Sequence, residues 1–236
     1  MTRRRWIADE VSGNRAFLIG TRAEHLSRVL RARIGQEFDI STGNQVRRGR
    51  ITSLSPQRVE FELGEVIPSS DSLQVTLALS VFKFDRMEWA IEKCTELGAA
   101  RIIPLIARRT EPHLAAAAAK RVERWRRIAR EAAEQSRQVS PPEISPPTKL
   151  QDAVALSAST RVVLSEIEEQ TSLKQVLQSH KAGDIVLAFG PEGGWTEDEL
   201  KIFQHAGWTS AALGNTILRA ETAAIAAMAV VAAELQ

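Results

Sequence analysis

From Leu73 onward the chain repeats one rhythm, a short apolar run followed by a segment with apolar residues at helical spacing. LQVTLALSVF (73–82), RIIPLIA (101–107), RVVLSE (161–166), DIVLAFG (184–190) and SAALG (210–214) are the strand candidates. Between them stand MEWAIEKCTELG (87–98), a long segment over 114–138, SLKQVLQSHKAG (172–183) and TEDELKIFQHAG (196–207). Parallel neighbours require a crossover, and a helix of this length supplies one. The alternation therefore predicts an α/β domain, a mostly parallel sheet covered by helices on both faces.

Residues before that point read differently. FLIG (17–20), EFDIST (37–42), VRRGRITSL (46–54) and RVEFELGEVI (58–67) are β-type runs with partial alternation, broken by Gly and Pro. EHLSRVLRARIG (24–35) is the one helical stretch, with Gly35 as its stop. A small β-barrel with a short helix is expected, and the breaker cluster Pro68-Ser69-Ser70-Asp71-Ser72 places the domain boundary near residue 70. The expected domains are thus 1–70 and 71–236. Pro141-Pro142 and Pro146-Pro147 mark an extended connector within the second.

Bulk properties narrow the class of function. Hydrophobic content of 44% and charged content of 25% suit an ordinary globular protein. The longest apolar stretch, Ala223 to Ala233, is too short to span a bilayer, and MTRRRWIADEV has no apolar core of a secretion signal. A lone cysteine, Cys94, fits a reducing compartment, so a cytoplasmic location is expected. The four histidines show no ligand spacing, and no metal is expected.

Net charge is only +2 but is unevenly placed. Residues 1–70 hold 12 Lys/Arg against 8 Asp/Glu, and residues 101–137 hold 10 against 4, whereas residues 151–236 hold 5 against 11. Two basic regions beside an acidic last third point to a polyanion that touches some surfaces and not others. The competing reading is a solvated helix face, with Glu123–Arg127 and Arg130–Glu134 as i,i+4 pairs along the arginine-rich segment. Its other stripe, Val122, Trp125, Ile128, Ala129 and Ala132, faces a core.

Two glycine-marked loops carry the candidate site, FGPEGGWTEDEL (189–200) and LGNTILRAETA (213–223). Each follows an apolar run and precedes a helical pattern. Glycines let main-chain amides approach a ligand with no side chain between them. Thr196 with Glu199 makes a capping box, so a helix starts directly after the first loop. No Gly-Lys-Ser/Thr triplet occurs, which argues against a nucleotide-triphosphate loop. Arg219 and Glu221 read equally as an ion pair pinning a helix start or as a catalytic pair. The last helix, ETAAIAAMAVVAAELQ, is apolar on nearly all sides and needs burial, which suggests a homodimer seam.

The pair GPEGG-W-T-x-x-E and LG-N-T-ILR-A-ETA resembles the RsmE family of 16S ribosomal RNA uridine N3-methyltransferases, a SPOUT class. HLSRVLRARIGQ (25–36), KCTELGAARIIPLIARRT (93–110) and RWRRIAREAAEQSRQ (124–138) are similar to further family segments in the same order, so the resemblance runs along the whole chain. It implies a trefoil-knotted domain binding S-adenosylmethionine and an N-terminal PUA-like barrel binding RNA. The implied cofactor residues are Leu164, Ser165 and Glu166; Gly190, Pro191, Glu192, Gly193 and Gly194; and Leu213, Gly214, Asn215, Ile217 and Leu218. Three departures stand out. TGNQ (42–45) replaces an aspartate–glycine turn, Ala107-Arg108 replaces a Ser-Glu pair, and Ala220 replaces a threonine.

If the target is uracil N3, the base must be unpaired or flipped, because N3 lies on the Watson–Crick edge. N3 also has to lose a proton, leaving an anion spread over O2 and O4. Arg219 is the candidate stabiliser of that charge, and Glu221 either takes the proton or orients Arg219. Candidate RNA contacts are Arg3, Arg4, Arg5, His25, Arg28 and Arg31 in the barrel, and Arg127, Glu134, Gln135 and Arg137 on the arginine-rich helix. The rival readings are a SPOUT enzyme acting on ribose 2′-hydroxyl or guanine N1, and a non-catalytic RNA-binding protein.

Overall fold

A computed structural model describes residues 5–68, 73–179 and 183–235. The chain divides into two compact units. One gathers Met1–Asp71 together with Ala133–Pro141, and the other holds Ser72–Ala132 and Pro142–Gln236. The nine residues 133–141 group with the N-terminal unit although they lie far along the sequence.

The first unit is a six-stranded sheet. Its strands are β1 (Arg5–Ile7), β2 (Glu10–Ser12), β3 (Arg15–Ile19), β4 (Glu37–Ser41), β5 (Val46–Leu54) and β6 (Arg58–Ile67), in the order β1-β4-β5-β6-β3-β2. All pairings are antiparallel except β1 with β4. Strand β6 shows why these segments are strands. Val59, Phe61 and Leu63 are buried at period two and join Trp6, Leu18, Ile40 and Ile51 in one core. The helical stretch is shorter than its pattern predicts. Helix α1 (Thr21–Glu24) runs into a π-helical turn over His25–Val29, and Arg31 at φ 49° ends it. Val29, Leu30 and Ile34 are exposed, so nothing rewards a longer helix there.

The second unit holds β7 (Val75–Ser80), helix α2 (Phe84–Glu96), β8 (Arg101–Ile106), α3 (Pro112–Ala118) and α4 (Val122–Ser136) as far as Ala132, the last four residues of α4 grouping with the first unit. It continues through β9 (Glu143–Ile144), β10 (Thr148–Lys149), α5 (Leu150–Val154), β11 (Thr160–Leu164) and α6 (Leu173–Ser179). It ends with β12 (Ile185–Phe189), α7 (Glu197–His205), β13 (Thr209–Ala211) and α8 (Ala220–Leu235). The 114–138 segment is therefore two helices, separated by a 3-10 turn at Ala119–Arg121, with Pro112 in the first turn of α3 where its missing N–H is harmless.

The sheet order is β10-β8-β7-β12-β11-β13, with β9 also on β8, and every pairing is parallel. Alternate residues feed two cores on its two faces. Val75, Leu77, Leu79, Ile185, Leu187 and Phe189 pack under α2, α4 and α8, while Ala78, Val186, Ala188 and Val163 pack under α5 and α7. Both faces are covered, as the alternation of runs and helices requires. The three adjacent strands β12, β11 and β13 end side by side, at Phe189, Leu164 and Ala211.

The arginine-rich helix α4 is tied down more fully than its sequence suggests. Arg124 makes a two-pronged bond to Glu88 (2.6 and 2.7 Å), Arg126 bonds Glu123 and the Ile144 carbonyl, and Arg121 sits over the Phe84 ring. Glu123 thus pairs with Arg126 at i,i+3, and among the described residues no pair of Glu123 with Arg127 is found. Its buried stripe is Val122, Trp125, Ala129 and Ala132, with Ile128 partly buried. Among the described residues no helix is long and apolar enough to cross a membrane.

Candidate active site

Three loops leave the carboxyl ends of β11, β12 and β13, which is where open parallel sheets place their ligands. They enclose a cleft of about 780 Å³. Its walls include Leu164, Ser165 and Glu166 after β11; Gly190, Pro191, Glu192 and Gly194 after β12; and Leu213, Gly214, Asn215, Ile217, Leu218 and Arg219 after β13. Glycine-marked turns 20 residues and more apart in sequence are brought together by strand adjacency alone.

Hydrogen bonds hold the loops to one another. The Trp195 indole N–H donates to the Leu164 carbonyl at 2.9 Å, tying the loop after β12 to the end of β11. Ser165 N–H donates to the Ala211 carbonyl at 3.0 Å, and Ala212 N–H to the Thr171 carbonyl at 2.8 Å. Within the GPEGG turn, Gly194 N–H donates to the Pro191 carbonyl at 2.8 Å. Gly194 has φ 68°, and a Cβ there would lie 2.2 Å from Glu166 Oε1, so both conformation and close approach call for glycine.

A second set of contacts fixes the turn from outside. Arg109 donates to the carbonyls of Gly193 (2.7 Å) and Trp195 (3.2 Å). The capping box closes at Thr196, and buried Glu199 also accepts the Arg108 N–H at 2.7 Å. Gly193 packs on the Arg109 side chain and is not part of the cleft wall.

The cleft's chemistry is mixed. Glu166, Glu168, Glu169 and Glu192 line it together with Arg86 and Arg219, four carboxylates against two guanidiniums. The Gln170 amide, seconded by that of Thr171, holds the Glu168 carboxyl below its usual range, so it stays anionic. Among the described residues, no hydrogen bond occupies the backbone amides of residues 213–218. Helix α8 begins at Ala220, itself in the wall, so its positive end opens on the cleft. Ile217 is 85% exposed there, an apolar side chain with nothing of its own unit to cover it. Among the described residues no cluster of His, Cys, Asp or Glu could hold a metal ion.

Residues 69–232 match the family model of the RNA methyltransferase domain. Ribosomal RNA small subunit methyltransferase E of Synechocystis sp. is 36% identical over 219 residues, covering 90% of this chain and 71% of that protein. The protein of the same name from Aquifex aeolicus is 31% identical over 229 residues, covering 94% and 96%. The chain belongs to the ribosomal RNA small subunit methyltransferase E family. The crystal structure of the Neisseria gonorrhoeae member bound to S-adenosyl methionine superposes with a TM-score of 0.85 at 31% identity, over 97% of this chain and 96% of that one.

Among the residues the family resemblance singled out, Glu221 stands apart from the cleft. It is 3% exposed and lies 3.7 Å from Arg86, not against Arg219. Residues two apart at a helix start point in different directions, which is why the adjacent charges in the sequence do not pair. Arg86 was not among the residues singled out, since it lies in none of the segments that carry the resemblance. Arg219 is exposed and lines the cleft, and among the described residues its guanidinium has no partner.

The expected RNA contacts fare unevenly. Arg3 and Arg4 lie outside the described residues. Arg5 is buried at 8% exposure, donates to the Arg137 carbonyl, and is pulled below the usual arginine pKa by burial, with Asp39 opposing. Glu134 is 2% exposed and binds Arg22 and the Ile7 N–H. Arg137, at φ 63°, is the left-handed stop of α4, with Gln138 N–H returning to the Ala133 carbonyl at 2.9 Å. These three do structural work within the first unit. Arg28, Arg31, Arg127 and Gln135 are exposed, Arg28 in an i,i+4 pair with Glu24, and His25 is half-buried beside Trp6.

Proposed function

We propose that this chain is an S-adenosylmethionine-dependent methyltransferase acting on uracil N3 of one uridine in small-subunit ribosomal RNA. The observation that carries the reading is the joint cleft at the ends of β11, β12 and β13, in a chain whose relatives are named ribosomal RNA small subunit methyltransferase E. Its residues fit a methyl donor. The unoccupied amides of 213–218 suit the edge of a purine or a carboxylate, and Gly190 and Gly194 line the same cleft. The acidic excess suits a cation. Glu166, the GPEGG turn and Leu213–Leu218 would hold the donor, which when bound supplies an electrophilic methyl group on a sulfonium.

The protein's own part is to place and charge-balance the acceptor. An extruded uracil meets Arg219 at the cleft mouth, where the guanidinium stabilises negative charge on O2 or O4 as the N3 proton passes to solvent water. Buried Glu221 acts through Arg86 and does not reach the base.

The finer architecture belongs to the same proposal. The first unit is read as a PUA-like barrel that docks RNA, and the second as a trefoil-knotted SPOUT domain in a cytoplasmic enzyme. A second copy covers α8, on which Thr222, Ala229 and Ala233 remain exposed beside its buried face. The reading is tested by mapping N3-methyluridine in small-subunit RNA from cells lacking the protein. The modification is expected to vanish there and return with the wild-type chain, and its persistence would remove the assignment. On the purified protein, replacing exposed Arg28 and Arg31 with Gln should lower the slope of log affinity against log salt by about 1 to 2. An unchanged slope would take this loop out of the RNA site.

A further inference from the structure

Three segments distant in sequence meet at one side chain, Arg86, in the first turn of α2. It lines the cleft. Its Nη1 donates to Glu192 Oε1 at 3.0 Å, inside the glycine turn after β12. Its Nε lies 3.7 Å from Oε1 of Glu221, in the first turn of α8 and two residues beyond Arg219. Glu221 is buried, and its Oε2 has no hydrogen-bond partner. A buried carboxylate with a bare oxygen is unfavourable unless a charge compensates it. Among the described residues Arg86 is the cation within ion-pair distance of it.

We infer that Arg86 is a positioning residue, a brace that sets the spacing between the GPEGG turn and the Arg219 end of α8. This rests on the methyl-donor reading of the cleft. Its two ion pairs have different consequences. The pair with Glu192 is half-exposed on both sides, so its loss frees the turn while costing the fold little. The pair with Glu221 fixes where α8 begins, and with it the backbone that carries Arg219. A guanidinium suits this role because its separate N–H groups reach two carboxylates at once, where an ammonium is a single point charge.

The test combines donor affinity, turnover and amide exchange of the ligand-free protein. Glu192→Gln should weaken S-adenosylmethionine binding by about threefold, the size of one half-exposed pair. Arg86→Gln should weaken it by about tenfold and also lower kcat, because both loops are released. The double variant should bind no worse than Arg86→Gln, and Arg86→Lys should recover only part of the loss. Without any ligand, exchange should speed up at 190–194 and 213–218 in Arg86→Gln, but at 190–194 alone in Glu192→Gln. Wild-type exchange at both segments in Arg86→Gln would overturn the brace, as would additive affinity losses. Failure of the wild-type protein to bind the donor would instead overturn the reading of the cleft, while the exchange result would still decide the brace.

Discussion

Arg219→Ala is expected to lower kcat by about a hundredfold to a thousandfold, the range measured when one preorganised stabiliser of developing charge is removed. Donor affinity should stay within about threefold of wild type, because the groups that fit the donor are backbone amides and glycine turns. The structure gives a reason to expect this separation. Arg219 is exposed, it precedes α8 and does not sit within it, and among the described residues its guanidinium has no partner. Truncation therefore leaves no buried charge orphaned, and thermal stability should not move. Arg219→Lys keeps the charge without the planar fork and should recover only part of the rate. Measuring single-turnover rate beside calorimetric donor affinity checks the claim. Equal loss of both would make Arg219 a donor-binding residue. Glu221→Gln offers the contrast, since that carboxylate is buried against Arg86 and should act on stability and loop order.

Much of the second unit was legible because its information is local. Parallel strands buried on both faces read as short apolar runs; each of the five expected runs overlaps an observed strand, with β11 and β13 starting one residue earlier than expected. The glycine turns were legible for a similar reason, since Gly, Pro and a capping box punctuate sequence strongly. Strands β5 and β6 occupy the very bounds that alternation marks, residues 46–54 and 58–67. What escaped was short or long-range. Strands β1, β2, β9 and β10 have two or three residues, too few to show a period. The grouping of residues 133–141 with the first unit leaves no local trace, since it rests on contacts to residues about 100 positions earlier, such as Ser41 to the Val139 carbonyl. Charge was the least legible property. The basic balance of residues 101–137 suggests a polyanion surface, yet Arg109, Arg121, Arg124 and Arg126 are engaged within their own unit. Opposite charges can find each other across any sequence separation, so a segment's net charge overstates what its surface offers.

Glu134→Ala is expected to destabilise the first unit by about 3 kcal/mol, the cost of breaking a buried ion pair by removing one partner. The carboxylate is 2% exposed at the end of α4, where it accepts from Arg22 and from the Ile7 N–H at 3.2 Å. Arg22 is itself mostly buried, with a side-chain exposure of 19%, and also bonds Asp9 at 2.6 Å and the Ile7 carbonyl. Removing Glu134 leaves that guanidinium with one carboxylate where it had two, and strips an acceptor from the amide of β1. Asp9 limits the damage, so the loss should not exceed the lower end of the range for such pairs. Glu134→Gln keeps an acceptor for the Ile7 N–H and should cost less than the alanine variant. Denaturant unfolding of the first unit measures both. The same variants decide between a structural and an RNA-contacting role, because a buried acid in an intact unit has no phosphate to repel. Once each variant is assayed below its unfolding range, the salt slope of RNA binding should match wild type. A changed slope with unchanged stability would return Glu134 to the RNA surface and would mean that the Arg22 pair contributes little to the fold.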